Sequence, residues 1–209
     1  MTAEEPRKDY KYASKVLSGS QKHDTVEKAI RQILVSVGED PDREGLRKTP
    51  HRVAKMYEEL LEGYSQDLMT IVNGALYDID YENDEMVIIG DIAYDSLCEH
   101  HMLPFSGKAH IAYIPDDKVI GLSKIPRIVD MHSKRLQVQE RLTNEIADCI
   151  EHVLHPKGVF VLLEGYHSCA SLRGVKKHAL SMKTVSSRGI FIENIAKRDE
   201  FYKLVGKTT

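Results

Sequence analysis

Residues 159–163, Val-Phe-Val-Leu-Leu, form an unbroken apolar run that continues into Glu164, Gly165, Tyr166 and His167. The run is too short for a buried helix and is rich in β-formers, so it reads as a buried strand. What surrounds it then fixes the class. Ahead of it, Val26, Ile30, Ile33, Leu34 and Val37 recur at helical spacing. Asp24 and Glu27 resemble a capping box at the start of that helix, and Gly38 ends it. A charged loop follows over 39–49. Pro50 suits the first turn of a second helix, whose stripe is Val53, Met56, Tyr57, Leu60 and Leu61.

The spacing then changes. Residues 86–94 and 108–114 are rich in apolar residues and read as strands, with a turn at 115–117 before a short strand over 118–122. Ser123 is placed to cap a helix with Pro126 in its first turn. A further helix from about residue 138 buries Leu142, Ile146, Cys149, Ile150 and Val153. A strand over 184–192 and a short helix over 196–204 close the chain. Helices, strands, helices and strands in that order predict an α+β layer, with helices on one face of a mainly antiparallel sheet. Residues 1–22 are polar without a period and read as a mobile arm before a single domain.

Composition removes several functions. The 209 residues, 42% hydrophobic and 29% charged, suit one globular domain with a terminal extension. A formal net charge of −3 argues against a general nucleic-acid binder. No apolar run approaches the ~20 residues that cross a bilayer, so no membrane segment is expected. Residues 1–10 are charged with no apolar stretch after them, unlike a secretory signal. Three cysteines, Cys98, Cys149 and Cys169, make a poor disulfide scaffold and point to a reducing, cytoplasmic setting.

The chemistry concentrates in Cys98-Glu99-His100-His101 and in His167-Ser168-Cys169. Cys98 and His101 have the spacing of two ligands on one tight loop. On a strand, His167 and Cys169 would share a face. Two thiolates and an imidazole suit zinc. With Cys98, His101 and Cys169 as ligands the fourth position stays open, as in a catalytic site, and His100 and His167 stand by as proton-transfer groups. A closed structural site with His167 as the fourth ligand is the alternative. Cys149 shares the apolar face of Ile146, Ile150 and Val153 and reads as core.

Ser123, Lys124 and Arg127 sit at a helix start, where backbone N–H groups favour anions. Arg173 follows the second cysteine motif, and Arg52 and Lys55 lie three apart on the second helix. Taken singly, each is an ordinary solvated charge. Gln139 and Glu140 pair an amide with a carboxylate, which together can read the polar edge of a base, although an exposed helix start is the plainer reading.

Together these segments resemble the GTP cyclohydrolase I family. The resemblance is carried by Thr49 to Tyr57 (TPHRVAKMY), Cys98-Glu99-His100-His101, Tyr113-Ile114-Pro115, Gly121 to Ile125 (GLSKI), Arg135 to Thr143 (RLQVQERLT), His167-Ser168-Cys169 and Arg173-Gly174-Val175. It implies the tunnelling fold, a four-stranded antiparallel sheet backed by helices, with N-terminal helices over 23–70 and a catalytic unit over 71–209. It also implies a homodecamer of two pentamers with active sites between subunits. One Zn2+ per subunit on Cys98, His101 and Cys169 would activate water toward carbon-8 of GTP, with His167 and His100 moving protons. Glu140 and Gln139 would hold the guanine edge. Ser123, Lys124, Arg127, Arg173, Arg52 and Lys55 would cradle the triphosphate. Formate and 7,8-dihydroneopterin triphosphate would be the products.

Overall fold

The computed structural model describes residues 19–80 and 85–206, with side chains from residue 23 onward, and divides into two units, Met1–Glu58 and Glu59–Thr209. The arm expected over 1–22 lies outside the described residues as far as residue 18.

In the first unit, α1 spans Gly19–Ser36, so it starts five residues before the expected capping box. Residues 20–23 contain no helix breaker, and Asp24 stands inside the helix rather than capping it. Gly38, at φ +86°, takes the left-handed conformation that stops α1, and Glu39 N–H donates to the Leu34 carbonyl. Helix α2, Thr49–Leu60, begins in this unit and carries Pro50 in its first turn as expected.

The second unit opens with a 3-10 turn, Glu62–Tyr64, and a short helix α3, Leu68–Val72. By sequence these elements group with the N-terminal helices over 23–70; their contacts lie with later elements. Gly63 N–H donates to the Lys134 carbonyl, Arg135 donates to the Gly63 carbonyl, and Val72 is buried in the main core. These contacts fasten the turn to the helix that precedes residue 134.

The central sheet is built from β2 (Val87–Cys98), β3 (Pro104–Ile114), β6 (Gly158–His167) and β7 (Ser181–Gly189), each antiparallel to its neighbour. The resemblance implies a sheet of four antiparallel strands; the sheet here has five. A two-residue strand β5, Leu136–Gln137, adds to the free edge of β2 in parallel, and β1 (Leu76–Asp78) pairs separately with β4 (Lys118–Ile120). Helices α4 (Lys124–Ser133) and α5 (Gln139–Leu154) lie against one face of the sheet. There Val159, Val161 and Leu163 meet Leu142, Ile146, Ala147 and Ile150. Each such Leu, Ile or Val contributes roughly 1.5–3 kcal/mol through burial.

The alternate residues of β6 turn the other way. Phe160 and Leu162 join Ala112, Ile114, Phe191 and Phe201, covered by α7, Ile195–Leu204. Helical cover is therefore not confined to one face. It explains why 159–163 is apolar without alternation: both faces of the strand are buried.

Candidate metal centre and active site

Strand register decides where the two cysteine motifs end up. β2 ends at Cys98, residues 99–103 reverse the chain, and β3 returns. Cys98 N–H donates to the Leu103 carbonyl, while Met102 N–H donates to the Cys98 carbonyl. Met102 takes a left-handed φ of 52°, which lets the turn close. Glu99 N–H donates to the Gln137 carbonyl, tying the turn to β5. β6 pairs with β3 so that His167 lies opposite Phe105, beside this turn.

Here one expectation is corrected. His167 ends β6, and Cys169 lies in the one-turn helix α6, Ser168–Ser171, not on the strand with His167. Extending β6 would place Ser168 beside Pro104, which has no N–H to give the ladder. The cysteine nonetheless arrives. Cys98, His101 and Cys169 offer ligand atoms that all lie within 4.8 Å of one another. The Cys98 Sγ is 3.7 Å from His101 Nδ1 and 4.0 Å from His100 Nδ1. Cys98 is buried, whereas His101 is exposed.

The donor set fits a soft-to-borderline metal ion. Ligand atoms around tetrahedral zinc are about 3.3–3.8 Å apart, so closing the cluster takes side-chain movements of about an ångström. The thiol chemistry agrees. Burial first, and then the Cys98 sulfur beside it, push the Cys169 thiol up from its ordinary range. The Cys98 sulfur thus disfavours the Cys169 thiolate, and a cation between the two would reverse that logic. His167 stands outside this three-residue group.

His167 is instead held as a separate element. Its ring stacks on Phe105 with centroids 4.5 Å apart and planes within 4°. Its Nε2 is 3.0 Å from Gln139 Oε1. The Gln139 amide nitrogen donates to the Leu163 and Met182 carbonyls at 3.2 and 3.0 Å and lies 3.1 Å from Thr184 Oγ1. Those carbonyls fix the amide orientation, so Oε1 faces the imidazole and His167 carries its neutral proton on Nε2. Nδ1 is left as the basic nitrogen. Burial holds the His167 pKa below its ordinary value, and the Glu140 charge opposes that shift.

Gln139 is 1% exposed, and both ends of its amide are engaged. Gln139, expected at a guanine edge, is turned toward His167 in this structure, while Glu140 is exposed at the start of α5. Gly165 makes this possible, since a Cβ there would stand 2.2 Å from Gln139 Oε1.

Around the centre, Arg173 Nη1 lies 3.0 Å from His101 Nε2. Glu99 pairs with Arg141, which also donates to the Gln137 side chain and the Leu136 carbonyl. Gln137 continues the chain to Glu145, and Glu145 to His132. Phe105, Glu145 and His132 were not singled out from the sequence, because buried side-chain partners leave no periodic trace.

Ser123, Lys124 and Arg127 lie at the start of α4. Among the described residues no hydrogen bond or ion pair joins them to the metal centre. Ser123 does not cap the helix with its side chain: its own backbone is already helical, at φ −66° and ψ −13°, and Pro126, three residues on, has no N–H to offer. Arg52 and Lys55 are exposed on α2.

Residues 26–206 match the family profile described as GTP cyclohydrolase I. The chain belongs to the GTP cyclohydrolase I family. Its relatives include GTP cyclohydrolase 1 of Deinococcus radiodurans, 50% identical over 88% of this chain and 84% of its own. That of Gloeobacter violaceus is 51% identical over 85% and 82%. GTP cyclohydrolase 1 1 of Pseudomonas aeruginosa is 53% identical over 85% and 95%. The matched span of the GTP cyclohydrolase I profile includes both cysteine motifs, Gln139 and Arg173.

Proposed function

We propose that this chain is a GTP cyclohydrolase I, opening the guanine imidazole ring of GTP by hydrolysis. Carbon-8 leaves as formate, and the ribose carbons reclose the ring to give 7,8-dihydroneopterin triphosphate. One water is consumed in the sum. The observation that carries the reading is the convergence of Cys98, His101 and Cys169, with a separately held imidazole at His167.

Zinc, one per subunit, is the ion proposed for the three ligands; when bound it supplies Lewis acidity and an activated water at an open position. The rest falls to the protein. Glu140 accepts N–H groups of the guanine edge. His167 takes up a proton at Nδ1 and delivers it to the imidazole ring of the base, while Gln139 keeps Nε2 protonated and the ring aimed. His100, exposed on the turn beside Cys98, moves the proton that accompanies ring opening and formate release. An imidazole that ligates through Nδ1 carries its proton on Nε2. With a metal on Nδ1, His101 would be unable to accept from Arg173, which would free the guanidinium for the triphosphate.

Ser123, Lys124 and Arg127 extend the anion cradle, and Arg52 and Lys55 reach it from a neighbouring chain. That division of labour fits a tunnelling-fold homodecamer of two pentamers. A cytoplasmic location is supported by the three cysteines, which stand as free thiols. The test is incubation with GTP, with and without a chelator, detecting formate and a fluorescent oxidised pterin. Chelator-sensitive release of both is expected. Failure to form formate from GTP with zinc-loaded protein overturns the reading.

A further inference from the structure

A second group of metal-binding side chains lies in the N-terminal unit, away from both cysteine motifs in sequence. His23 and Glu27 are four apart on α1, so they project from one face of the helix. His51 and Glu58 are seven apart on α2, two turns along one face. The two faces meet. His23 Nε2 lies 2.7 Å from Glu58 Oε1, and His51 Nδ1 lies 2.8 Å from Glu27 Oε1. The ligand atoms of His23, Glu27 and His51 all fall within 4.8 Å of one another, and the two imidazole centroids are 6.0 Å apart.

We propose that His23, Glu27, His51 and Glu58 form a second site for a divalent transition-metal ion, which clips α1 to α2. Two imidazoles and two carboxylates are a nitrogen–oxygen set that suits Zn2+ and its first-row neighbours, and not a soft thiolate site. Tetrahedral zinc with bonds of about 2.0–2.2 Å places its ligand atoms about 3.3 Å apart. Each cross-helix His–Glu pair therefore opens by about half an ångström, the remaining atoms of His23, Glu27 and His51 close by up to about 1.5 Å, and Glu58, which lies outside that three-residue group, swings in further as the fourth ligand. The side chains can do this: those of Glu58 and His51 are 51% and 54% exposed, with room to rotate. His23 is better covered, at 21%, and gives the site a fixed corner.

The ion replaces two separate cross-helix pairs with one shared centre. Each pair alone, at this exposure, is worth little. A ligand that binds only the folded helix pair stabilises it in proportion to its concentration over Kd. The site is independent of the proposed hydrolase chemistry, and loss of one leaves the other intact.

Equilibrium dialysis of the full chain against a graded series of free Zn2+, read by elemental analysis, tests this. The native protein is expected to take up two equivalents per chain. The double variant His23→Ala/His51→Ala should saturate at one, and so should Cys98→Ser/Cys169→Ser, each losing a different equivalent. His51→Gln, at an exposed position that leaves the fold undisturbed, should weaken the second equivalent at least tenfold. Co2+ loaded into the Cys98→Ser/Cys169→Ser protein should show visible bands that His23→Ala removes. One equivalent in the native protein, or equal uptake by the native and His23→Ala/His51→Ala proteins at every zinc concentration, overturns the proposal.

Discussion

Replacing Gln139 by Leu separates two roles for this residue, holding the guanine edge or orienting His167. The side chains are similar in volume, so the change deletes polar contacts without opening a large cavity. It removes the donor to the Leu163 and Met182 carbonyls and the acceptor for His167 Nε2. All three lie around a residue that is 1% exposed, so water cannot easily replace the amide. Orphaned buried polar groups cost about 1–3 kcal/mol each. With some relaxation the total should be about 2–4 kcal/mol, a fall in Tm of roughly 5–15 °C. His167 keeps its stacking on Phe105 but loses the partner that fixes its tautomer. A misaimed general acid–base should lower kcat by about 10–100-fold, with KM for GTP little changed and one zinc retained by the cysteine site. Steady-state kinetics with zinc analysis, and nitrogen NMR of the His167 tautomer, read these separately. Gly165→Ala should reproduce the kcat effect from the opposite side, because its Cβ meets the same Oε1 at 2.2 Å. A Gln139→Leu protein with unchanged kcat and a KM raised tenfold or more would refute the orienting role and restore the base-edge contact.

Three further outcomes are expected. Cys98→Ala should lose the catalytic metal and turnover together, checked by zinc content and formate release; full activity in metal-free Cys98→Ala would exclude the mechanism. Cys149 is buried and its thiol is pushed up to about 12, so mild alkylation of metal-free protein should label Cys169 and spare Cys149, as read by peptide mass mapping. Burial pushes the Glu145 carboxyl up, but the hydrogen bonds from His132 and Gln137 outweigh it and leave the pKa below its ordinary value. A depressed carboxyl stabilises the fold above its unfolded pKa and loses that contribution as pH falls through the folded value. Glu145→Gln should therefore lower urea stability by about 1–3 kcal/mol at pH 7, with the deficit shrinking toward pH 4; a deficit independent of pH would contradict this.

Much of the architecture was legible because it depends on local spacing. The stripe Leu142, Ile146, Ile150 marks α5, and Gly38 marks the end of α1. The candidate ligands were legible because a Cys-x-x-His turn announces itself. Less legible were boundaries set by distant partners. β6 stops at His167 because its neighbour begins with Pro104, and Ser123 fails as a cap because its own backbone is already helical and Pro126 has no N–H for it. Gln139 illustrates the difference most clearly. Beside Glu140 in sequence, it looked like half of a base-reading pair, and only the packing of α5 on β6 and β7 turned it inward.

Composition and periodicity thus determined the element types, the α+β class and the residue kinds able to hold a metal, since each depends on neighbours within a few positions along the chain. Tertiary structure decided which of these residues meet. Antiparallel pairing of β2, β3 and β6 brings residues 98, 101 and 169 to one end of the sheet, and pairing of α1 with α2 brings His23 to Glu58. Such convergence is a property of strand register and helix packing, which sum weak contacts over the whole fold, and no short stretch of sequence contains it.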